Sequence, residues 1–267
     1  MTALAYRRTG TGPPMVLLHA LGSSRDSWDP VVPALAEHFD VLAVDLPGFG
    51  ESPPLPAEVE PSPGALATAV AELLDDLGID RAAVVGNSVG GWVALELAAR
   101  RPVASLTLLD PAGLWPGRTP AYCRVSLRVS RWLARHASGL LARAVDHPLG
   151  RVLVLGQTHG RPVRMGPARA RAAIHALGAA PGFDAALAAT LPRHAVAPPD
   201  LEAPVTVAFG TRDLLLLPWQ ARHVELLPAG TRVRRLPRCG HIPMADDPSA
   251  VAALILSSSD ARRTEAA

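Results

Sequence analysis

The chain has 267 residues, 49% of them hydrophobic and 19% charged, which suits a globular fold with a large core and excludes a disordered chain. All 26 basic residues are arginine and 24 residues are acidic, so a formal net charge of +2 gives no reason to expect a nucleic-acid partner. The two cysteines, Cys123 and Cys239, are too few for a disulfide framework and lack the paired spacing of a zinc site.

Apolar runs bounded by turn residues mark strands, and apolar residues recurring at three and four mark helices. In chain order they predict a strand over 15–19, a helix over 28–38, a strand over 41–45 and a helix over 65–77. A strand over 82–86, a helix over 89–101 and a strand over 105–110 follow. The alternation then stops for roughly 90 residues. It resumes with a strand over 205–209, a helix over 219–227 and a more polar strand over 233–236. Continuous apolar strands alternating with helices predict a doubly wound, mostly parallel sheet buried on both faces.

The interruption is too long for a plain loop, so residues 112–199 read as a helical cap inserted between core segments 1–111 and 200–267. Within it Arg124, Arg128, Arg131 and Arg135 share one helical stripe, with Val125, Val129, Trp132 and Leu133 to its side. A solvated face is the ordinary reading of that stripe, and attraction of an anionic substrate the sharper one. The proline-rich 51–64 and the small, polar 257–267 read as loosely ordered. No apolar core follows the paired arginines near the N-terminus, and no apolar run approaches the length of a spanning helix. The expectation is a cytoplasmic protein with no signal peptide and no membrane anchor, a monomer or homodimer acting on a small molecule.

The segment that carries chemistry is Gly86-Asn87-Ser88-Val89-Gly90-Gly91, where an apolar strand runs into Gly-x-Ser-x-Gly and then directly into a helical pattern. The pentapeptide alone is a weak signal; its place at a strand-to-helix turn gives it a mechanical meaning. A tight turn there pushes the Ser88 hydroxyl out over the sheet, and the glycines remove side chains where strand and helix crowd. Ser88 also sits at a helix N-terminus, so the free Val89 amide faces any negative charge that develops beside it. Serine is a poor nucleophile at neutral pH and needs a base, itself held in one tautomer by a third group. Two later strands lead into candidates for both: 205–209 into Gly210-Thr211-Arg212-Asp213, and 233–236 into Cys239-Gly240-His241. Asp110 also ends a strand and competes for the acid's role, although the chain order Ser88, Asp213, His241 favours Asp213.

The sequence resembles the α/β-hydrolase family over nearly its whole length, on His19-Ala20-Leu21-Gly22, on Asp45-Leu46-Pro47-Gly48-Phe49-Gly50-Glu51-Ser52, on the serine turn, and on Asp213 and His241. The resemblance implies an α/β-hydrolase fold with Ser88 as nucleophile, His241 as base and Asp213 as the acid that orients it. It makes His19-Ala20-Leu21-Gly22 the oxyanion loop, in which the Leu21 amide joins that of Val89; Ala20 stands where the family usually has glycine. Asp45 and His19 read as bracing their own loops. The other histidines show no metal-site spacing, and Cys239 has no base of its own, so neither a metal nor a cofactor is expected. Trp92, Trp115 and Trp132 are candidate pocket walls, Trp92 and Trp115 foremost.

These features rank hydrolysis of a carboxylic ester or lactone first. The serine turn is also similar to that of hydrolases that cleave carbon-carbon bonds in ring-fission diketones, and a cyclase or lyase could keep the same fold and residues. A ligand-binding protein with little turnover is the reading from a different class.

Overall fold

The computed structural model describes residues 3–198 and 201–259. Strands β1 (Tyr6–Thr9), β2 (Pro14–Leu18), β3 (Asp40–Val44), β4 (Ala83–Asn87), β5 (Ser105–Leu109), β6 (Val205–Gly210) and β7 (Arg232–Leu236) form one sheet in the order β1-β3-β2-β4-β5-β6-β7. β1 runs antiparallel to β3, and every other neighbouring pair is parallel. The register pairs Leu18 with Gly86, Asn87 with Leu109, Leu109 with Ala208 and Gly210 with Leu236. The carboxyl ends of β2, β4, β5, β6 and β7 are therefore level, and the loops that leave them open on one edge. The chain reverses its direction of winding between β3 and β4, so β2 and β4 flank the switch point where such sheets form their crevice.

Successive strand residues point to opposite faces, and here both faces are covered. Val16, Leu18, Val84, Leu106 and Leu108 pack on one side, with α2 (Pro63–Asp76) and α3 (Val89–Ala98). Met15, Leu17, Val85 and Leu109 pack on the other, with Trp28 and Leu35. This is why the strands read as continuous apolar runs. β1 is the exception: its four residues are exposed, and it is held by its ladder to β3 and by the Arg8–Asp40 ion pair. Such a polar edge strand leaves no apolar run to find.

The helix expected over 28–38 divides into a single turn at Arg25–Trp28 and α1 (Val32–Ala36). Pro30 and Pro33 explain the break, since neither has the N–H that a continuous helix would use there. The helix expected over 219–227 likewise shrinks to α9 (Pro218–Ala221) and a turn at Val224–Leu226. Between them the His223 N–H turns away to donate to the Leu114 carbonyl at 3.2 Å. After α10 (Pro243–Asp246), the chain closes on α11 (Pro248–Ser259), which sequence reading missed. Val251, Ala252 and Ile255 bury one face of it, and the Asp247 carboxylate accepts from the Ala250 N–H at its start. Ser257 to Ser259 belong to this helix rather than to a loose tail, and 260–267 lie outside the described residues. The 51–64 segment is irregular up to Ser62, whose side chain caps α2 by accepting from Ala65 N–H at 3.2 Å.

Between β5 and β6 lie α4 (Ala121–His136), α5 (Ser138–Ala144), α6 (Pro148–Leu155), α7 (Pro167–Ala179) and α8 (Phe183–Thr190). The arginine stripe of α4 is not uniformly solvated. Arg131 is buried and donates to the Leu177 and Ala180 carbonyls, satisfying the C-terminal end of α7.

Candidate active site

Ser88 sits between β4 and α3 with φ 55° and ψ −119°, a left-handed backbone that a side-chain-bearing residue adopts at a cost. The turn persists because its surroundings leave no alternative. A Cβ on Gly86 would lie 2.2 Å from the Gly90 carbonyl oxygen, and one on Gly90 would lie 2.2 Å from that of Leu18. The Ser88 N–H donates to the Leu109 carbonyl at 3.0 Å, and the Ser88 carbonyl accepts from Ala112 N–H at 2.9 Å. Asn87, to which sequence reading gave no role, is fully buried. Its side-chain amide donates to the carbonyls of Leu109 and His241, both at 2.9 Å, so it ties the serine turn to the histidine loop.

Asp213 follows β6 and His241 follows β7, and both are buried. His241 Nδ1 lies 2.8 Å from Asp213 Oδ2, while Asp213 Oδ1 accepts from the amides of Leu215 at 2.8 Å and Leu216 at 2.9 Å. Burial alone would raise the Asp213 carboxyl; the His241 charge and hydrogen bond and the two amides outweigh it and hold it below its ordinary value. An ionised Asp213 only accepts, so the His241 proton sits on Nδ1. His241 Nε2 is buried with no partner among the described residues, and His241 and Ser88 line the same cavity. Asp110, the competing acid, has its carboxyl raised well above the ordinary value by burial and by the charge of Asp213. Its Oδ1 accepts from Gly210 N–H at 2.9 Å, and it makes no contact with His241 of the kind Asp213 makes.

Leu21 and Val89 line this cavity too, and neither backbone amide has an acceptor among the described residues. His19 explains how the first is aimed. Its Nε2 accepts from Leu46 N–H at 3.0 Å, so its proton is on Nδ1, which donates to the Ala20 carbonyl at 2.8 Å. Burial lowers the His19 pKa and keeps the ring neutral. Ala20 C=O and Leu21 N–H belong to one planar peptide, so holding the carbonyl on one side turns the amide to the other. Asp45 braces the neighbouring loop, accepting from the amides of Arg25 at 2.6 Å and Glu51 at 3.0 Å and pairing with the Arg25 guanidinium.

The cavity has a volume of about 1090 Å³ and runs from the carboxyl edge of the sheet into the inserted helices, where Leu127, Leu133, Ile174 and Leu187 give it largely apolar walls. Trp115 lines it, with its indole N–H donated to the Arg193 carbonyl at 3.0 Å. Trp92 does not: it lies in the core, edge-on to Trp115 with ring centroids 5.9 Å apart. Trp132 is on the outside of α4, stacked on His136. Burial pushes both the Cys123 and the Cys239 thiol up to about 12, so each stays protonated at neutral pH. Among the described residues no three histidine, cysteine or carboxylate side chains cluster as a metal site would require.

The segment 157–161, between β5 and β6, crosses between the loops of Asp213 and His241, and nothing in the sequence marks it. The Gln157 carbonyl accepts from Leu214 N–H at 3.2 Å and the Thr158 carbonyl from Ile242 N–H at 3.0 Å. Asp246 completes the seam by accepting from the amides of Gly160, Arg161 and Gly240, each at 2.7 Å. A Cβ on Gly240 would lie 2.6 Å from the Gly160 nitrogen, so backbone meets backbone beside His241. His159, buried and on the cavity wall, is held by Thr158 Oγ1 at 2.9 Å, and burial lowers its pKa.

The model of the Alpha/beta hydrolase family matches residues 15–254. The chain belongs to that family. This α/β hydrolase superposes on a thermophilic esterase from Thermogutta terrifontis with a TM-score of 0.75 and 25% identity, covering 95% of this chain and 92% of that one. It superposes on the enol-lactonase from Burkholderia xenovorans with a TM-score of 0.71 and 28% identity, covering 96% of each. Over 126 residues it is 40% identical to the pimeloyl-[acyl-carrier protein] methyl ester esterase of Aeromonas hydrophila, a match spanning 44% of this chain and 48% of that protein.

Proposed function

We propose that the hydrolase cleaves a carboxylic ester or lactone through an acyl-enzyme on Ser88. The observation that carries this reading is the buried His241, bonded through Nδ1 to Asp213 and left with a partnerless Nε2 in the cavity that Ser88 lines. In the first half-reaction His241 Nε2 takes the Ser88 hydroxyl proton as Oγ attacks the substrate carbonyl, and the proton is then given to the departing alkoxide. The imidazolium formed meanwhile is stabilised by ionised Asp213. The carbonyl oxygen gains its negative charge between the unpaired amides of Leu21 and Val89, each such donor contributing about 3 kcal/mol in the transition state. In the second half-reaction His241 takes a proton from water, the hydroxide attacks the acyl carbon, and Ser88 leaves with the proton returned by His241. Residues 112–199 act as the cap that selects the acyl and alcohol groups, and their apolar lining favours a hydrophobic substrate.

A fluorophosphonate probe tests the reading, with the adduct located by peptide mass spectrometry. Labelling at Ser88 that disappears in His241→Ala, together with ester turnover lost by at least about a thousandfold in Ser88→Ala, is the expected result. Full turnover in Ser88→Ala would remove the acyl-enzyme.

A further inference from the structure

The outer face of the helices between β5 and β6 carries apolar side chains that nothing among the described residues covers. On α4, Tyr122, Val125, Val129 and Trp132 recur at helical spacing along one exposed stripe, with Trp132 59% exposed. Leu140 on α5 is 71% exposed, and Leu149 and Leu153 on α6 are 79% and 86% exposed. Beside the apolar stripe of α4 runs a second one, of Arg124, Arg128 and Arg135. Twelve arginines and two aspartates give residues 112–199 a formal charge of +10, which leaves −8 on the remainder of a chain whose total is +2. Arg171 is held by Asp146, whereas Arg124, Arg128, Arg135, Arg143, Arg164 and Arg169 have no carboxylate partner among the described residues.

We infer that this face docks onto an anionic lipid surface. Protruding tryptophan and leucine flanked by arginine, on a helix of low net hydrophobicity, is the pattern of a segment that lies in the headgroup region. The arginines meet the lipid phosphates and the apolar stripe enters the acyl boundary. Symmetric pairing of this face with that of a second copy fits poorly, because it brings two strongly positive surfaces together. A protein groove partner fits poorly as well, because the apolar side chains stand out from helices instead of lining a cleft. The cavity points the same way: Leu133 and Leu153 belong both to this exposed face and to the wall of the chamber that Ser88 lines. No single helix among the described residues is long and apolar enough to cross a membrane, and the contact inferred here is peripheral. The docking does not depend on the acyl-enzyme, and its test does not measure turnover.

Co-sedimentation with vesicles of phosphatidylcholine and phosphatidylglycerol in equal parts, against vesicles of phosphatidylcholine alone, tests the inference. The protein is expected to pellet with the anionic vesicles, less so as salt is raised, and at least about tenfold more weakly with the neutral ones. The pair Trp132→Glu with Leu149→Glu, and separately the pair Arg128→Glu with Arg135→Glu, are each expected to weaken binding by about tenfold or more. These side chains are exposed or flank the exposed stripe, and an unchanged Tm verifies that each variant folds. No pelleting with anionic vesicles, or pelleting that both pairs leave intact, overturns the inference. So does a dimer, seen by sedimentation velocity, that the Trp132→Glu, Leu149→Glu pair dissociates.

Discussion

The carboxyl edge of the sheet and the helices inserted over it follow opposite rules. At the edge, Ser88, Asn87, Asp213 and His241 are buried, with hydrogen bonds that fix the Asn87, Asp213 and His241 side chains and the backbone of Ser88. On the outer face of α4, α5 and α6, large apolar side chains stand in solvent and most arginines have no carboxylate partner among the described residues. Position is over-determined where the proposed reaction takes place, and surface character is permitted where only contact is proposed. One side chain changed at the edge should therefore cost far more than one changed on the insertion.

The largest expected effect is at Asp213. Asp213→Asn keeps the shape but cannot hold the His241 proton on Nδ1, and ester turnover should fall by about 10³ to 10⁴-fold. If Asp110→Asn lost as much while Asp213→Asn did not, the assignment of the acid would be reversed. Next come paired glycine substitutions, one from each region. Gly90→Ala drives a Cβ to 2.2 Å from the Leu18 carbonyl oxygen and should destabilise the fold by about 3 kcal/mol. Gly139→Ala, in α5 with nothing within 4 Å of the new Cβ, should stabilise it by roughly 0.5 kcal/mol through helix propensity. Denaturant unfolding of both proteins measures the contrast, and similar values would dissolve it.

The smallest effect is a pH dependence. Asp110 holds its proton in the folded state well above the pH at which it releases it when unfolded. Its contribution is full below the unfolded value and is lost as pH rises toward the folded one. Asp110→Asn keeps a neutral group that accepts from Gly210 N–H, so it should raise Tm near pH 8 and leave it little changed near pH 4. An equal shift at both values would mean that Asp110 is ionised in the fold.

What was legible in the sequence follows the same division. Ser88 and Asp213 follow apolar strands and His241 a more polar one, so a strand count and the chain order were enough to bring the three to one edge of the sheet. Trp92 and Trp115 could not be separated, because which indole faces the chamber depends on how the insertion lies against the core. β1 was hidden by its exposed, polar residues, and α11 by serines that mask its buried apolar face. Asn87 and Asp246 left no signal because their partners are backbone groups distant in the chain, and a carbonyl or an amide has no sequence.

The seam formed by 157–161 and Asp246 has a consequence for modularity. Inserted segments of enzymes look exchangeable, since a graft need only join at two ends. Here the loops that carry Asp213 and His241 lean on the backbone of the segment between β5 and β6 at Gln157, Thr158 and Gly160, so a transplanted segment would have to bring an equivalent crossing stretch. Without one, a graft that preserved every residue of the core would still leave Asp213 and His241 without the backbone against which they are held.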